Sequence, residues 1–331
     1  MNSIKRIAVT GAGGQIAYSL IFRLAHGDLL GPNQPIALHL LELPEGVGAL
    51  KGLAMELDDC TFPLLKEVKV GSDPEEVFGG VDYALLVGAK PRGPGMERQD
   101  LLADNGRIFV GQGRALNRAA SRDVKVLIVG NPCNTNCLIA MHHAPDLKPE
   151  QFFAMTRLDQ NRAVYQLARK SGSDSQHVSH VTIWGNHSAT QVPDFEHALI
   201  RGKPATEVIT DRKWLEGEFI TTVQKRGAEV IAARGKSSAA SAANAAIEAM
   251  RSVLVPTHQG DWFSMGVSAK GNPYGIDENL VFSFPCRSKG KGDFEIVSGL
   301  KITPFLKEKL QITQKELLDE RDMVAHLLKR T

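Results

Sequence analysis

The chain has 331 residues, 43% of them hydrophobic and 23% charged, which excludes a disordered protein. Its 39 Lys and Arg residues against 37 Asp and Glu give a formal charge of +2, so no nucleic-acid partner is indicated. No apolar run reaches the ~18 residues that cross a bilayer, and no signal-peptide core follows Met1. Four scattered cysteines predict no disulfide framework, so we expect a protein of a reducing, cytoplasmic compartment without a membrane partner.

Short β-rich runs alternate with longer amphipathic runs through the first half of the chain. The predicted strands are Arg6–Val9, Ala37–Leu41, Val68–Val70, Tyr83–Val87 and Val124–Val129. The predicted helices are Gln15–His26, Gly48–Leu57, Leu101–Ala119 and Asn134–His143. Mostly apolar strands that alternate with helices are typical of an α/β protein with a doubly wound parallel sheet covered on both faces.

The alternation loosens after about residue 151. The later predictions are a helix at Gln160–Lys170, a strand at Val181–Trp184, helices at Leu215–Ala233 and Ser237–Val253, an antiparallel hairpin within Phe263–Phe284, and a helix at Gln314–Lys329. Because no low-complexity linker separates the halves, we interpret the change as one of architecture. We predict a doubly wound domain at 1–155, followed by a mixed α/β domain at 156–331.

A glycine-rich turn follows the first predicted strand and leads directly into a helix. It consists of Gly11, Ala12, Gly13, Gly14, Gln15, Ile16 and Ala17. Glycine allows the chain to reverse and a pyrophosphate to approach the backbone, while the helix N–H groups face the phosphates. Ile16 stands where the third glycine of the G-x-G-x-x-G pattern would fall, so the turn alone is weak support for a dinucleotide site.

Glu42 ends the second predicted strand and strengthens this interpretation. A carboxylate here accepts hydrogen bonds from both adenosine ribose hydroxyls and repels a 2′-phosphate. It lies farther from the turn than the usual ~20 residues, and a loop at 27–35 accounts for the difference. The simpler alternative is a solvated strand end. The pattern favours NAD over NADP.

The loops after the fourth and fifth predicted strands lie where doubly wound sheets bind ligands. The first carries Arg92 and Arg98 among prolines and glycines, as would a lid that brings cations onto an anionic substrate. For such a loop seen alone, solvated surface arginines are the simpler interpretation. In Val129-Gly130-Asn131-Pro132, the Asn131 amide either binds a ribose or substrate oxygen or only forms a turn.

Asp159 and Arg162 lie three residues apart on a predicted helix and share one face. They form either a simple ion pair or a functional set, in which Asp159 orients a histidine and Arg162 binds a carboxylate. Among ten histidines, His187 follows a short strand within a small, polar turn. Composition alone does not single it out, because most histidines are structural.

In this order, the segments resemble the malate dehydrogenases of the lactate/malate dehydrogenase superfamily, and most closely the cytosolic-like NAD-dependent group. The resemblance runs the length of the chain and is most specific at Thr10–Tyr18, Lys90–Leu102, Gly130–Pro132, Arg157–Arg162 and Trp184–Ser188. It implies a Rossmann-type NAD-binding domain at 1–155, a substrate-binding catalytic domain at 156–331, a dicarboxylate substrate, a homodimer and no metal.

The resemblance also implies a role for each matching residue. His187 would exchange the proton of the malate C2 hydroxyl, and Asp159 would hold its imidazole. Arg162 would bind the carboxylate beside the reacting carbon, and Arg92 and Arg98 would bind the distal one. Asn131 would contact substrate or cofactor. The other implied cofactor contacts are the turn from Gly11 to Ala17, Glu42, Asn105, Gln112, Val129 and Gly130. Many relatives carry Asp at the place of Glu42, which keeps the charge.

Several alternatives stay open. A lactate dehydrogenase of the same superfamily needs only a methyl pocket, so the cation at Arg92 argues against it. A short-chain dehydrogenase needs a Tyr-x-x-x-Lys pair, which this sequence lacks. A metal-dependent hydrolase would rely on Cys133, Cys137, His142 and His143, whose spacing fits no common zinc module. A silent NAD-binding protein is disfavoured by the intact set of acid–base residues and arginines.

Overall fold

The computed structural model of the chain describes residues 3–90 and 98–329, without the side chain of Arg98. The chain divides into two compact units. Unit 1 comprises residues up to 154, the segment 239–251 and the residues from 320 onward, and unit 2 comprises 155–238 and 252–319. The backbone therefore passes between the units after residues 154, 238, 251 and 319.

Unit 1 is built on a parallel β-sheet. The elements up to residue 154 are β1 (Lys5–Thr10), α1 (Gln15–His26), β2 (Ile36–Leu41), α2 (Val47–Asp59), β3 (Leu65–Gly71), α3 (Pro74–Val77), β4 (Tyr83–Leu86), α4 (Arg98–Ala119), β5 (Lys125–Ile128), α5 (Cys133–His142) and β6 (Phe152–Ala154). The strand order is β6-β5-β4-β1-β2-β3, and every neighbouring pair is parallel. The predicted α/β fold with a doubly wound parallel sheet is confirmed.

The composition of the central strands explains why the sheet is covered on both faces. All six residues of β2 are buried, and so are the last four residues of β1. The one polar side chain of β2, His39, is satisfied because its Nδ1 lies 2.7 Å from the Val77 carbonyl oxygen. Strands with alternating polar residues would instead leave one face in water.

The elements after residue 155 are shorter and more varied. In chain order they are α6 (Arg157–Ser171), β7 (Val178–Ser179), β8 (Thr182–Trp184), β9 (Val192–Asp194), β10 (Leu199–Ile200), β11 (Lys203–Pro204), α7 (Ala205–Val208), α8 (Arg212–Trp214), α9 (Ile220–Arg234), α10 (Ala240–Leu254), β12 (Phe263–Ser268), β13 (Val281–Gly290), β14 (Asp293–Ile296) and α11 (Pro304–Met323). Most of α10 belongs to unit 1, and α11 ends there.

Unit 2 combines antiparallel strands with an apolar core around α6. The predicted hairpin is present as β12 paired with β13, and β14 extends it. Two smaller antiparallel sheets join β8 to β9 and β10 to its neighbours β7 and β11. Helix α6 packs Ala163 and Leu167 into a buried cluster with Ile183, Phe195 and Phe219. This packing fixes the first turn of α6, where Asp159 lies.

Several short elements and some helix bounds differ from the sequence predictions, and two of these differences are instructive. Helix α11 begins at Pro304, not at Gln314, and the Thr303 hydroxyl caps it by accepting the Leu306 N–H (3.2 Å). Strand β6 was not predicted, because three residues are too few to show a period. Among the helices of the described ranges, none is long and apolar enough to span a membrane.

Candidate active site

The turn after β1 has no room for a side chain at its first residue. Gly11 has a φ of +62°, and a Cβ on it would lie 2.5 Å from the Gly88 Cα, just beyond β4. The Gly14 N–H donates to the Gly11 carbonyl oxygen (2.9 Å), and α1 begins at the next residue. The start of α1 therefore lies beside β1 and β4, between which the strand order reverses. A helix N-terminus at this place stabilises an anionic group.

Glu42 is fixed beside this turn. Its Oε2 accepts the Gly13 N–H and its Oε1 accepts the Leu43 N–H, each at 2.9 Å. A Cβ on Gly46 would lie 2.4 Å from the Glu42 Cγ, so the chain also closes on the other side of the carboxylate stem. The glycine cradle and the pinned carboxylate fit a dinucleotide with free ribose hydroxyls.

Asn105 connects the segments that follow β4 and β5. The side chain is buried; its Oδ1 accepts the Lys90 N–H (2.7 Å), and its Nδ2 donates to the carbonyl oxygens of Lys90 (3.1 Å) and Asn131 (3.2 Å). Asn131 itself is exposed, directly after Val129 and Gly130 at the carboxyl end of β5. Asn105 thus fixes the backbone on which the predicted Asn131 contact depends.

Gln112 follows Asn105 by about two turns of α4. Its side chain is buried, and among the described residues its Oε1 has no hydrogen-bond partner. A buried oxygen without a donor is rare in native proteins and indicates a group that is bound there, such as water or a ligand. This agrees with the cofactor contact that the resemblance implies for Gln112.

Unit 2 brings Asp159, Arg162 and His187 together. The Asp159 side chain is fully buried; its Oδ2 meets the His187 Nδ1, and its Oδ1 accepts from the Arg162 Nη1 at 3.0 Å. The side chains of Arg162 and His187 are 14% and 17% exposed, so they are largely removed from solvent. One carboxylate therefore orients both the imidazole of His187 and the guanidinium of Arg162.

The charges in this cluster support one another. Burial alone would raise the pKa of Asp159, but His187 and Arg162 outweigh burial and hold that pKa below its usual range. Burial lowers the pKa of His187, whereas the attraction of Asp159 raises it, and the net effect is a raised pKa. Asp159 is thus ionised, and His187 exchanges its proton above the ordinary value of ~6.5.

Sequence reasoning missed two side chains of this cluster. Gln191 is buried and hydrogen bonds to the Asp159 carboxylate, and Ser238 accepts from the Arg162 Nη2 at 3.4 Å. Gln191 follows His187 by four residues, so inspection of the same turn could have found it. Ser238 is 76 residues from Arg162, and the sequence carries no signal that links them.

The structure does not describe the two side chains that were predicted to bind the distal carboxylate. Arg92 lies outside the described residues, and so does the side chain of Arg98, whose backbone begins α4. The predicted binding of the distal carboxylate therefore stays a prediction from sequence.

The cysteine–histidine cluster on α5 does not have the character of a metal site. Cys133 and Cys137 are buried, and burial raises the pKa of the Cys137 thiol. The His143 Nε2 lies 2.6 Å from the Leu327 carbonyl oxygen and is thus already engaged. Within 3–90 and 98–329, no three His, Cys, Asp or Glu side chains are arranged to hold a metal ion. The hydrolase alternative gains no support here.

Two family models together match most of the chain. Residues 5–153 match the lactate/malate dehydrogenase NAD binding domain, and residues 156–328 match the α/β C-terminal domain of the same family. A malate dehydrogenase of Protochlamydia amoebophila is 60% identical over 98% of this chain and 98% of its own. A chloroplastic NADP malate dehydrogenase of Sorghum bicolor is 57% identical over 97% of this chain and 75% of its own.

A solved structure extends the comparison to three dimensions. The lactate dehydrogenase of Trichomonas vaginalis, in complex with NADH and oxamate, superposes with a TM-score of 0.93 at 40% identity. The match covers 98% of this chain and 99% of the other. These similarities span both units and agree with the predicted resemblance. The chain belongs to the lactate/malate dehydrogenase family.

Proposed function

We propose that this protein is an NAD-dependent malate dehydrogenase that interconverts (S)-malate and oxaloacetate. The observation that carries the proposal is the buried Asp159 carboxylate that holds both His187 and Arg162. It provides a proton carrier and a carboxylate-binding cation in fixed relation, which the oxidation of a 2-hydroxy acid requires. The high identity to the Protochlamydia malate dehydrogenase supports the same activity.

His187 is the proposed general base for malate oxidation. As the Nδ1 is held by Asp159, the Nε2 takes the proton of the C2 hydroxyl, and it returns that proton when oxaloacetate is reduced. The ionised Asp159 stabilises the imidazolium that forms. Bound NAD supplies the acceptor for the hydride that leaves C2. A guanidinium has five N–H donors, so Arg162 can bind the C1 carboxylate while it keeps its contact with Asp159.

The proposed choice of malate over lactate depends on the loop after β4. Oxaloacetate carries a second carboxylate that pyruvate lacks, and we assign its binding to Arg92 and Arg98. The similarity to a lactate dehydrogenase at 40% identity makes lactate the second candidate, because the same acid–base cluster serves either substrate. Malate and lactate share the C1 carboxylate and the C2 hydroxyl, and they differ only in the group on the other side of C2.

The proposed cofactor is NAD, for which the pinned Glu42 is the support. A carboxylate that is held by two backbone N–H groups beside the glycine turn disfavours the 2′-phosphate of NADP. Gly11 to Ala17, Gln112 and the segment Val129–Asn131 are the further cofactor contacts that we propose. The NADP-dependent relative makes this choice a matter for direct measurement.

We further propose that residues 1–155 serve NAD binding and 156–331 substrate binding, in a cytoplasmic homodimer. All four cysteines are free thiols, as a reducing compartment favours. Sedimentation equilibrium of the purified chain at micromolar concentration tests the dimer, and a monomeric mass would contradict it.

Four matched assays test the activity. Purified protein is given NADH or NADPH with oxaloacetate or pyruvate, and loss of absorbance of the reduced cofactor is followed. The proposal expects the highest kcat/KM for NADH with oxaloacetate. If the protein turns over pyruvate but not oxaloacetate, it is a lactate dehydrogenase and not a malate dehydrogenase. If it turns over neither keto acid, both of these functions are refuted.

A further inference from the structure

The loop that carries His187 is anchored to the last helix of the chain. Residues 185–190 lie in the connection between the antiparallel strands β8 and β9 and are called here the His187 loop. Its anchor consists of Thr313 and Glu316, which lie on one face of α11. The loop and the anchor both belong to unit 2.

Glu316 collects three donors of the His187 loop on one oxygen atom. Its Oε2 accepts from the Asn186 Nδ2 at 3.0 Å, from the Ser188 hydroxyl and from the Thr190 hydroxyl at 2.6 Å. Asn186 and Ser188 are the residues on either side of His187. The carboxylate oxygen is an acceptor for all three donors, so Glu316 ties both chain neighbours of His187 to α11.

Thr313 fixes the start of the same loop. Its hydroxyl oxygen accepts the Asn186 N–H at 2.9 Å and lies 3.0 Å from the Thr190 hydroxyl. Gly185 passes so close that a Cβ on it would lie 2.3 Å from the Thr313 side chain, and its φ is +92°. Thr313 is fully buried, so these contacts are removed from competing water.

We propose that Glu316, supported by Thr313, is a positioning residue that holds the His187 loop so that the imidazole meets Asp159. This rests on the proposed role of His187 in proton transfer. Asp159 restrains the imidazole ring of His187, whereas Glu316 and Thr313 restrain the backbone and side chains around it. Two independent restraints, one on the ring and one on its loop, define the direction of the Nε2. Misplacement of a catalytic group by about 1 Å costs on the order of 10²-fold in rate.

The electrostatic consequence follows from the groups near His187. Asp159 on α6 favours the imidazolium, whereas burial and Arg162 on α6 disfavour it. Glu316 on α11 acts on the loop through Asn186, Ser188 and Thr190. If the loop loosens, the imidazole moves from Asp159, and the pKa of His187 falls toward its ordinary value. A residue that only stabilised the fold would leave this pKa unchanged.

The test compares Glu316→Ala and Glu316→Gln with the parent. We expect the Ala variant to lose about 10- to 100-fold in kcat with NADH affinity unchanged, because geometry at the reacting carbon is lost. The pKa of His187, followed by NMR titration of its ring proton without substrate, should fall toward the ordinary value of an imidazole. The Gln variant keeps an accepting oxygen of the same shape, so it should regain most of the lost kcat.

Two further variants serve as safeguards. Asp319→Asn removes an exposed carboxylate of the same helix, one that pairs only with Lys315 in the described contacts, and should change neither kcat nor the titration. If Glu316→Ala does not fold, Thr190→Val can be used instead, because it removes one of the donors that the loop gives to Glu316. This variant should also lower both kcat and the pKa of His187.

Parental kcat and an unchanged His187 titration in folded Glu316→Ala would overturn the inference. The titration needs no substrate, so it also separates the two proposals. A shifted titration in a protein that does not reduce oxaloacetate would refute the proposed function and leave the anchor intact.

Discussion

The Asp159 Oδ2 and the His187 Nδ1 meet inside unit 2, although the two residues are 28 positions apart in the chain. The other oxygen of the same carboxylate accepts from Arg162, so the imidazole and the guanidinium are held at a fixed separation. A substrate carboxylate that binds the guanidinium would place its neighbouring carbon at a defined distance from the His187 Nε2. The catalysis that we propose for this cluster therefore depends on geometry that is set before the substrate arrives.

His187→Asn is expected to lower kcat by ~10²–10⁴, the usual contribution of general acid–base catalysis. NADH binding, measured by fluorescence titration, should stay near the parental value. The matched control is His197→Asn, since His197 also bonds to a buried carboxylate, that of Asp194 (2.7 Å). Asp194 keeps the Trp184 indole N–H (2.9 Å) and two backbone N–H donors, so this control should fold and turn over. If His187→Asn and His197→Asn lose the same factor in kcat, His187 is not the general base.

Malate oxidation and oxaloacetate reduction should depend on pH in opposite ways. Because the pKa of His187 is raised by Asp159, malate oxidation, which needs neutral imidazole, declines as the pH falls through that raised pKa. Oxaloacetate reduction needs imidazolium and declines as the pH rises through it. In Asp159→Asn both midpoints should move to lower pH, as seen in kcat/KM profiles. Midpoints that stay in place would show that another group controls the proton.

Arg92→Gln tests the choice of substrate. If Arg92 binds the distal carboxylate of oxaloacetate away from water, its loss breaks a buried charge pair and costs ~3–5 kcal/mol. At ~1.4 kcal/mol per decade this is roughly two to four orders of magnitude in kcat/KM. Pyruvate turnover should hold or rise. Arg107→Gln, which alters an exposed arginine of α4, is the control. Equal losses for both keto acids would mean that Arg92 supports the loop and does not recognise the substrate.

Glu42 should determine the preference between the two cofactors. Setting its carboxylate against a 2′-phosphate costs several kcal/mol in a desolvated contact, and partial exposure reduces this. We expect kcat/KM for NADH to exceed that for NADPH by at least about tenfold. Glu42→Gln should lower the ratio of the two kcat/KM values, mainly by raising kcat/KM for NADPH. A parent that uses both cofactors with similar efficiency would contradict the proposed role.

Two glycines of unit 1 should respond to alanine in opposite directions. Gly11→Ala places a Cβ 2.5 Å from the Gly88 Cα at a φ of +62°, and should destabilise the protein by ~1–3 kcal/mol. Gly111 lies on the exposed face of α4 with nothing within 4 Å, so Gly111→Ala should stabilise it by ~0.5–1 kcal/mol. The apparent Tm of each variant checks both signs. A raised Tm for Gly11→Ala would refute the close approach of Gly11, after β1, to Gly88, after β4.

Much of unit 1 could be predicted from the sequence because its information is local. The period of Gln15–His26 and the glycines around it define α1 with the bounds that the structure shows. The contacts of the active-site cluster are not local in this sense. Nothing in the letters around His187 indicates Glu316, because the contact joins positions more than a hundred residues apart. The start of α11 was missed, although Pro304 after a capping threonine is a helix-start signal.

Unit 1 is not a continuous stretch of chain, and this constrains how it can be made. Its parallel strands β1 to β6 all lie before residue 155, but the Arg23 guanidinium donates to Asn244 (2.8 Å), the Thr135 hydroxyl donates to Glu320, and His143 bonds to the Leu327 carbonyl. On the ribosome, these partners emerge only after β6 has been made. Until then the Thr135 and His143 side chains, which are buried in the folded protein, lack these partners, and a gene fragment that ends at residue 154 would encode the parallel strands without these contacts.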